Sequence, residues 1–206
     1  MKTILIDNQK GGCGKTTLTM NLWAALGEAS CLLVDTDPQE SLMKWASNNE
    51  AIIIKSQTKK DNELLSQIKK QNNYEYMLID GRANISTLGV DYLKLADLVL
   101  IPVLPGWLDY DSTADYCDIV KEIQKVNTKL KAMIVINGVV KNSIIAREAE
   151  SLAVEFEIPI LETKVHRRIV FSTCAREGLT VFNTGNTEAQ SDIIKLKEEI
   201  LQCLNR

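Results

Sequence analysis

Hydrophobic residues along this chain follow two alternating rhythms. Nearly continuous runs rich in Ile, Leu and Val occupy 3–7, 31–35, 51–54, 76–80, 98–103 and 132–137, with a shorter run at 160–165. Runs of that length and composition predict strands buried on both faces. Between them, apolar residues recur with helical spacing at 15–27, 40–47, 61–70, 88–95, 112–126 and 144–156; two more helical patterns lie at 167–176 and 187–204. Alternation of this kind implies parallel strands joined by right-handed crossovers. The fold class expected is α/β: a single doubly wound, mostly parallel sheet with helices on both faces. No linker rich in Pro, Gly or Ser divides the sequence and no repeat appears, so residues 1–206 read as one domain. In such a sheet, ligands bind by default in the loops at the C-terminal ends of the strands.

Composition narrows the function. The chain has 206 residues, enough to bury a core without disulfide or metal staples. The longest apolar run, 98–104, contains Pro102 and is far shorter than the roughly 20 residues of a membrane span. Asp7 arrives too early for a signal peptide, so a cytoplasmic protein with no membrane partner is expected. The C-terminal helical pattern is near neutral in charge and reads as packing on the sheet, not on a lipid surface. Five scattered cysteines form no C-x-x-C pair, and one histidine, His166, is too few for a His-rich metal site. A net charge of −3 excludes nucleic-acid binding over the whole surface but leaves room for a local basic patch.

The densest chemistry follows the first strand. Asn8-Gln9-Lys10-Gly11-Gly12-Cys13-Gly14-Lys15-Thr16-Thr17 leads straight into a helical pattern. A strand, a Gly-rich loop and a helix N-terminus together form a phosphate cradle: glycines let successive N–H groups turn inward, and the helix end adds partial positive charge. Lys15 is placed to reach β- and γ-phosphates and the Thr16 hydroxyl to ligate Mg²⁺. The usual G-x-x-x-x-G-K-[ST] spacing would put Gly where Gln9 stands. The match is to a deviant form, K-G-G-x-G-K-[ST]-[ST], with Lys10 as a second cation. Two further strands end in acids: the second in Asp35-Thr36-Asp37-Pro38-Gln39, the fourth in Tyr76-Met77-Leu78-Ile79-Asp80. A carboxylate beside a phosphate loop serves a metal ion or an attacking water. Asp37 also reads as a cap for the helix at 40–47.

These motifs resemble the ParA/MinD family of deviant P-loop ATPases, most specifically over 10–17 and 35–39, and nearest its short partition ATPases. The resemblance implies ATP and Mg²⁺ as cofactors, with Gly11, Gly12, Cys13, Gly14, Lys15, Thr16 and Thr17 around the nucleotide. It assigns Lys10 to the partner's nucleotide across an ATP-dependent sandwich homodimer. Asp37 would orient the attacking water, Asp35 and Asp80 would support Mg²⁺ with Thr16, and Asn137 would lie against the adenine. It further implies ATP hydrolysis to ADP, non-specific DNA binding by the dimer, and plasmid or chromosome segregation with a small centromere-binding adaptor on the nucleoid. The P-loop lies so near Met1 that no helix-turn-helix domain is expected before it. Lys164, Arg167, Arg168 and Arg176, with no acid among the intervening residues until after Arg176, are the candidate DNA contacts.

Other readings stay open at this stage. The same ATPase could position a protein complex on the nucleoid. A P-loop biosynthetic ligase is disfavoured by Lys10 and the D-x-D-P-Q segment. The family commonly continues its fourth strand with Thr-Pro-Pro, whereas this chain has Gly81-Arg82-Ala83-Asn84, so Arg82 is either a phosphate or partner contact or a plain loop residue. Cys13 is a space-filler or a reactive thiol. Trp107, beside Pro105-Gly106, is a candidate contact. Lys59, Lys60, Lys69 and Lys70 read as a solvated helix face.

Overall fold

The computed structural model describes residues 1–48, 51–71, 73–83, 87–106, 110–141 and 154–205. Asn84, Trp107 and nearly all of the helical pattern at 144–156 lie outside them.

The strands β1 (Lys2–Ile6), β2 (Cys31–Asp35), β3 (Ile53–Lys55), β4 (Tyr76–Asp80), β5 (Leu98–Val103), β6 (Lys131–Val139) and β7 (Val165–His166) form one seven-stranded sheet in the order β3-β2-β4-β1-β5-β6-β7. Every pairing is parallel. The order reverses at β1: the chain leaves it toward β2 on one side and reaches β5 on the other. Such a reversal opens a crevice above the strand ends, and the Gly-rich loop sits there.

The pleat divides the core. Ile4, Ile6, Leu33 and Leu78 face one side with Leu18, Leu22 and Trp23 of α1 (Lys15–Leu26), Leu42 and Trp45 of α2 (Ser41–Ala46), and Phe171 of α6 (Ile169–Glu177). On the same side, α7 (Thr187–Asn205) buries Ile193, Leu196, Ile200 and Leu204, as expected of a helix that packs on the sheet. Leu5, Met77, Ile79 and Val99 face the other side with Leu65 of α3 (Lys59–Gln71), Tyr92 and Leu93 of α4 (Thr87–Leu95), and Val120 of α5 (Tyr110–Val126). The sheet is therefore doubly wound. Trp23 and Trp45, both buried, meet edge to face at 5.3 Å, a favoured aromatic geometry. Among the described residues no helix is long and apolar enough to cross a membrane.

Three local differences from the sequence pattern have physical reasons. The run at 160–165 contributes only an Ile134–Ile160 bridge before β7. The backbone N–H groups of Glu162 and Thr163 go instead to the Glu199 carboxylate of α7, at 2.7 and 3.0 Å, so the ladder is interrupted by a side chain that satisfies the same donors. Lys69 is not simply solvated: its ammonium is half-buried and reaches Asp97 and the Leu95 carbonyl, both at 2.8 Å. β6 runs two residues past Asn137, which brings Asn137 level with the loop after β1.

Candidate functional site

The loop 8–14 folds over its own lysine. Lys15 opens α1 with its side chain buried, and its ammonium donates to the carbonyls of Asn8 (3.0 Å) and Lys10 (2.8 Å). Burial without partners would be costly for a cation; these two carbonyls supply them. Asn8 is itself fixed, its amide donating to Pro102 O (2.9 Å) and Thr113 Oγ1 (3.2 Å). Gly14 adopts φ +94°, and a Cβ there would stand 2.2 Å from Asn137 Nδ2, so only glycine fits. That Asn137 amide donates to Cys13 O at 2.7 Å. In this conformation Asn137 thus holds the loop from the β6 side.

Cys13 is buried, with its thiol donating to Lys10 O, and burial raises its pKa. Of the two readings open in the sequence, the packed space-filler matches this environment; a reactive thiol needs exposure and a lowered pKa.

Beneath the loop, the Thr16 hydroxyl donates to Asp80 Oδ2 at 2.7 Å, and Thr19 Oγ1 approaches Asp80 Oδ1 at 3.3 Å. Asp80 is fully buried, and its pKa is pushed up to about 8, first by burial and then by the Asp35 charge, against the pull of Thr16 and Lys15. Asp35 and Asp80 are register partners on adjacent strands. Thr36 completes the strand end, donating from both N–H and hydroxyl to Asp80 O. Asp35 is also buried. Its carboxylate accepts the N–H of Asp37 (3.0 Å) and of Met43 (2.9 Å) in the first turn of α2, and burial raises its pKa. Asp35, not Asp37, therefore caps α2. Asp37 is half-exposed and accepts Gln39 N at 2.9 Å in a turn of its own.

A cleft of about 580 Å³ opens over this group. Gly11, Gly12, Lys15, Thr16 and Thr17 line it on one side, and Asp37, Lys44, Trp45 and Arg176 lie across from them. The four basic residues proposed as one patch have different neighbours. Arg168 pairs with Asp192 and stands 3.5 Å from Glu188, while Arg176 lies beside Glu177 at the P-loop cleft. His166 shares the same Asp192 oxygen at 3.1 Å. Arg167 is exposed and Lys164 half-exposed at the far end of the segment. The sequence reading missed Asn8, Thr19 and Thr36, which position the loop and Asp80; small polar residues beside a motif were the available signal.

The donor set suits a small, hard cation. Thr16 and Asp80 offer oxygen atoms at the helix N-terminus, and two buried carboxylates lie side by side with Lys15 as the nearby cation. Among the described residues no group of three or more His, Cys, Asp or Glu forms a metal cage. Mg²⁺ at a phosphate site needs none, since it takes one or two protein ligands and fills the rest from phosphate and water.

A crevice at a sheet reversal, a Gly-rich loop at a helix N-terminus and paired carboxylates define a P-loop nucleotide-binding protein. The chain belongs to the CobQ/CobB/MinD/ParA nucleotide-binding domain family, whose profile matches residues 4–181. It is 30% identical over 207 residues to the maintenance of carboxysome distribution protein A of Halothiobacillus neapolitanus, spanning 97% of this chain and 96% of that one. Its fold is similar to that of an ATP complex of Cyanothece McdA (TM-score 0.78, 17% identity, 97% and 96% of the two chains). It is equally similar to cobyrinic acid a,c-diamide synthase of Mycobacterium smegmatis with a bound ATP analogue and magnesium (TM-score 0.79, 17% identity, 98% and 94%).

Proposed function

We propose that this chain is a Mg²⁺-dependent ATPase that forms an ATP-sandwich homodimer and distributes a cargo over DNA. The observation that carries the reading is the Thr16–Asp80 hydrogen bond at 2.7 Å directly under the Gly11–Gly14 loop, with Lys15 buried beside it. In this reading Gly11, Gly12, Cys13, Gly14, Lys15, Thr16 and Thr17 enclose the phosphates. Lys15 exchanges its two loop carbonyls for phosphate oxygens. Thr16 and Asp80 hold Mg²⁺, with Asp35 supporting their charge balance, and the metal neutralises charge on the terminal phosphates. Asp37, at the open side of the cleft, orients the attacking water. Lys10 reaches the nucleotide of the second copy. Asn137 steadies the loop and stands at the edge where the base would lie.

The cargo we infer is a protein assembly. The similarity to a carboxysome distribution protein over nearly the whole of both chains supports this over plasmid or chromosome segregation with a centromere-binding adaptor. The fold alone is neutral, since it also carries a cobyrinic acid diamide synthase; Lys10 and the D-x-D-P-Q segment support the positioning ATPase over a ligase. DNA serves as the track through Lys164 and Arg167, while Arg168 pairs with Asp192 and Arg176 lies at the P-loop cleft. The test is ATP turnover with and without Mg²⁺, DNA and the product of the neighbouring gene. Slow, Mg²⁺-dependent hydrolysis accelerated by DNA and that product is expected. Lys15→Ala should slow it at least a hundredfold, since one preorganised donor is worth about 3 kcal/mol at the transition state. Turnover that requires an organic acid substrate and yields its amide would support the ligase instead. A neighbouring product that binds one specific DNA sequence would return the cargo to DNA segregation.

A further inference from the structure

Asp7 directly follows β1, one residue before the loop asparagine Asn8, and nothing in the proposed mechanism uses it. The pleat sends its side chain to the opposite face of the sheet from Thr16 and Asp80, toward α4 and α5. It is buried, at 6% exposure. One carboxylate oxygen accepts the Tyr116 hydroxyl of α5 at 2.9 Å. The other, Oδ1, has no hydrogen-bond partner among the described residues. It lies against Gly81, where an added Cβ would stand 2.2 Å from it, so the chain after β4 passes Asp7 as closely as a backbone without a side chain permits.

Asp7 lines a small cavity of about 10 Å³ together with Gln9, Arg82, Val90 and Tyr116. That volume admits about one water molecule. Arg82 thus lines the same cavity as a buried carboxylate with one unpaired oxygen. Burial raises its pKa to about 6, opposed in turn by the Tyr116 hydroxyl, the Lys15 charge, the Asn8 N–H and, most weakly, the Arg82 charge.

We propose that Asp7 is a positioning residue for the nucleotide switch: its inward oxygen latches the Arg82 guanidinium and so holds Gly81–Ala83 against α4 and α5 when nucleotide binds. The inference rests on the ATPase reading above. Its logic is electrostatic. Lys15 faces both ways, toward the phosphates and toward the field at Asp7. Once a polyphosphate takes up the Lys15 charge, Asp7 loses its stronger counter-charge and stays ionised only by drawing in Arg82, the cation that lines the cavity. A guanidinium drawn across the cavity makes the charge-assisted hydrogen bond that Oδ1 lacks. The state of the phosphate site would then be transmitted through the sheet to α4, whose Gly89 and Val90 line the same cavity.

The test combines binding of a fluorescent, non-hydrolysable ATP analogue with hydrogen exchange of the α4 amides in wild type, Arg82→Gln, Arg82→Lys, Asp7→Asn and the double variant Asp7→Asn/Arg82→Gln. Wild type should bind the analogue and slow α4 exchange at least tenfold. Arg82→Gln and Asp7→Asn should bind within about threefold of wild type, or more tightly for Asp7→Asn, yet lose most of that slowing. Arg82→Lys should restore part of it, and the double variant should be no worse than either single one. Equal slowing in the variants, additive losses, or a wild type that binds the analogue without slowing α4 would overturn the latch and leave the ATPase reading standing. A wild type that binds no analogue would strike the ATPase reading and the latch with it. Should Asp7→Asn fail to fold, Arg82→Gln alone decides.

Discussion

Replacing Asp7 with Asn should stabilise the apo protein at neutral pH and do almost nothing in acid. Asp7 is buried, and its pKa stands at about 6 against an ordinary value of 3.8. Between those two pH values the folded chain binds more protons at this site than the unfolded chain, so stability falls as pH rises. The contribution of the protonated carboxyl is fully present below pH 3.8 and lost as pH climbs through 6. Moving a carboxyl over that interval is worth about 3 kcal/mol. Asn has nearly the same shape and no charge, so at pH 7.5 it recovers most of that sum. Its amide group must find an acceptor in the small cavity shared with Gln9 and Tyr116, which brings the expected gain to about 2 kcal/mol. For a chain of this size that raises Tm by roughly 5 °C. Urea unfolding at pH 7.5 and pH 4.0 measures it, and at pH 4.0 the variants should differ by well under about 1 kcal/mol. A variant that is destabilised, or whose difference from wild type is the same at both pH values, would refute the reasoning. A stabilising substitution would mean that the native carboxylate is kept at a cost in stability, as expected of a group held for function.

Other consequences follow from single contacts. Gly14→Ala should lose nucleotide binding and lower the melting temperature, because it meets both a left-handed backbone and the Asn137 amide; adding Asn137→Ala should recover stability only in part, since the strain at φ +94° remains. Asp37→Ala should bind ATP and dimerise but fail in single-turnover hydrolysis, with DNA and partner unable to stimulate it; hydrolysis at the wild-type rate would hand the water to another residue. DNA binding by the ATP-bound dimer should be sequence-independent and abolished by Arg167→Glu with nucleotide affinity intact. Two copies of Lys164 and Arg167 neutralise about four phosphates, so affinity should drop roughly a hundredfold between 50 and 200 mM salt. Unchanged binding in Arg167→Glu would place the track elsewhere.

The parts of this molecule that sequence revealed are those written in adjacent residues. The loop 8–17, the acids that close β2 and β4, and the alternation of strand and helix are all local patterns, and the sheet and cleft place them as a local reading expects. What was hidden depends on contacts between distant segments. Asp7 reads as one more acid at a strand end until Tyr116 and Gly81 are packed against it. Asn137 looks like a turn residue until β6 carries it to Cys13, 124 positions away. The run of cations at 164–176 shows no acid among them until Glu177, yet Asp192 of α7 reaches back to Arg168 and His166. Asp37 also reads as a cap for the next helix, but the strand end puts the Asp35 carboxylate on the Met43 N–H of α2. Each of these depends on which elements pack together, which one-dimensional spacing does not encode.

Sedimentation velocity in Mg²⁺ and a non-hydrolysable ATP analogue tests the central claim most directly, with wild type and Lys10→Ala side by side. The account predicts that wild type shifts from the 23.0 kDa monomer to a species of twice that mass, while Lys10→Ala binds the analogue and stays monomeric. A wild type that remains monomeric with the analogue bound, or a Lys10→Ala protein that dimerises as readily, would contradict it.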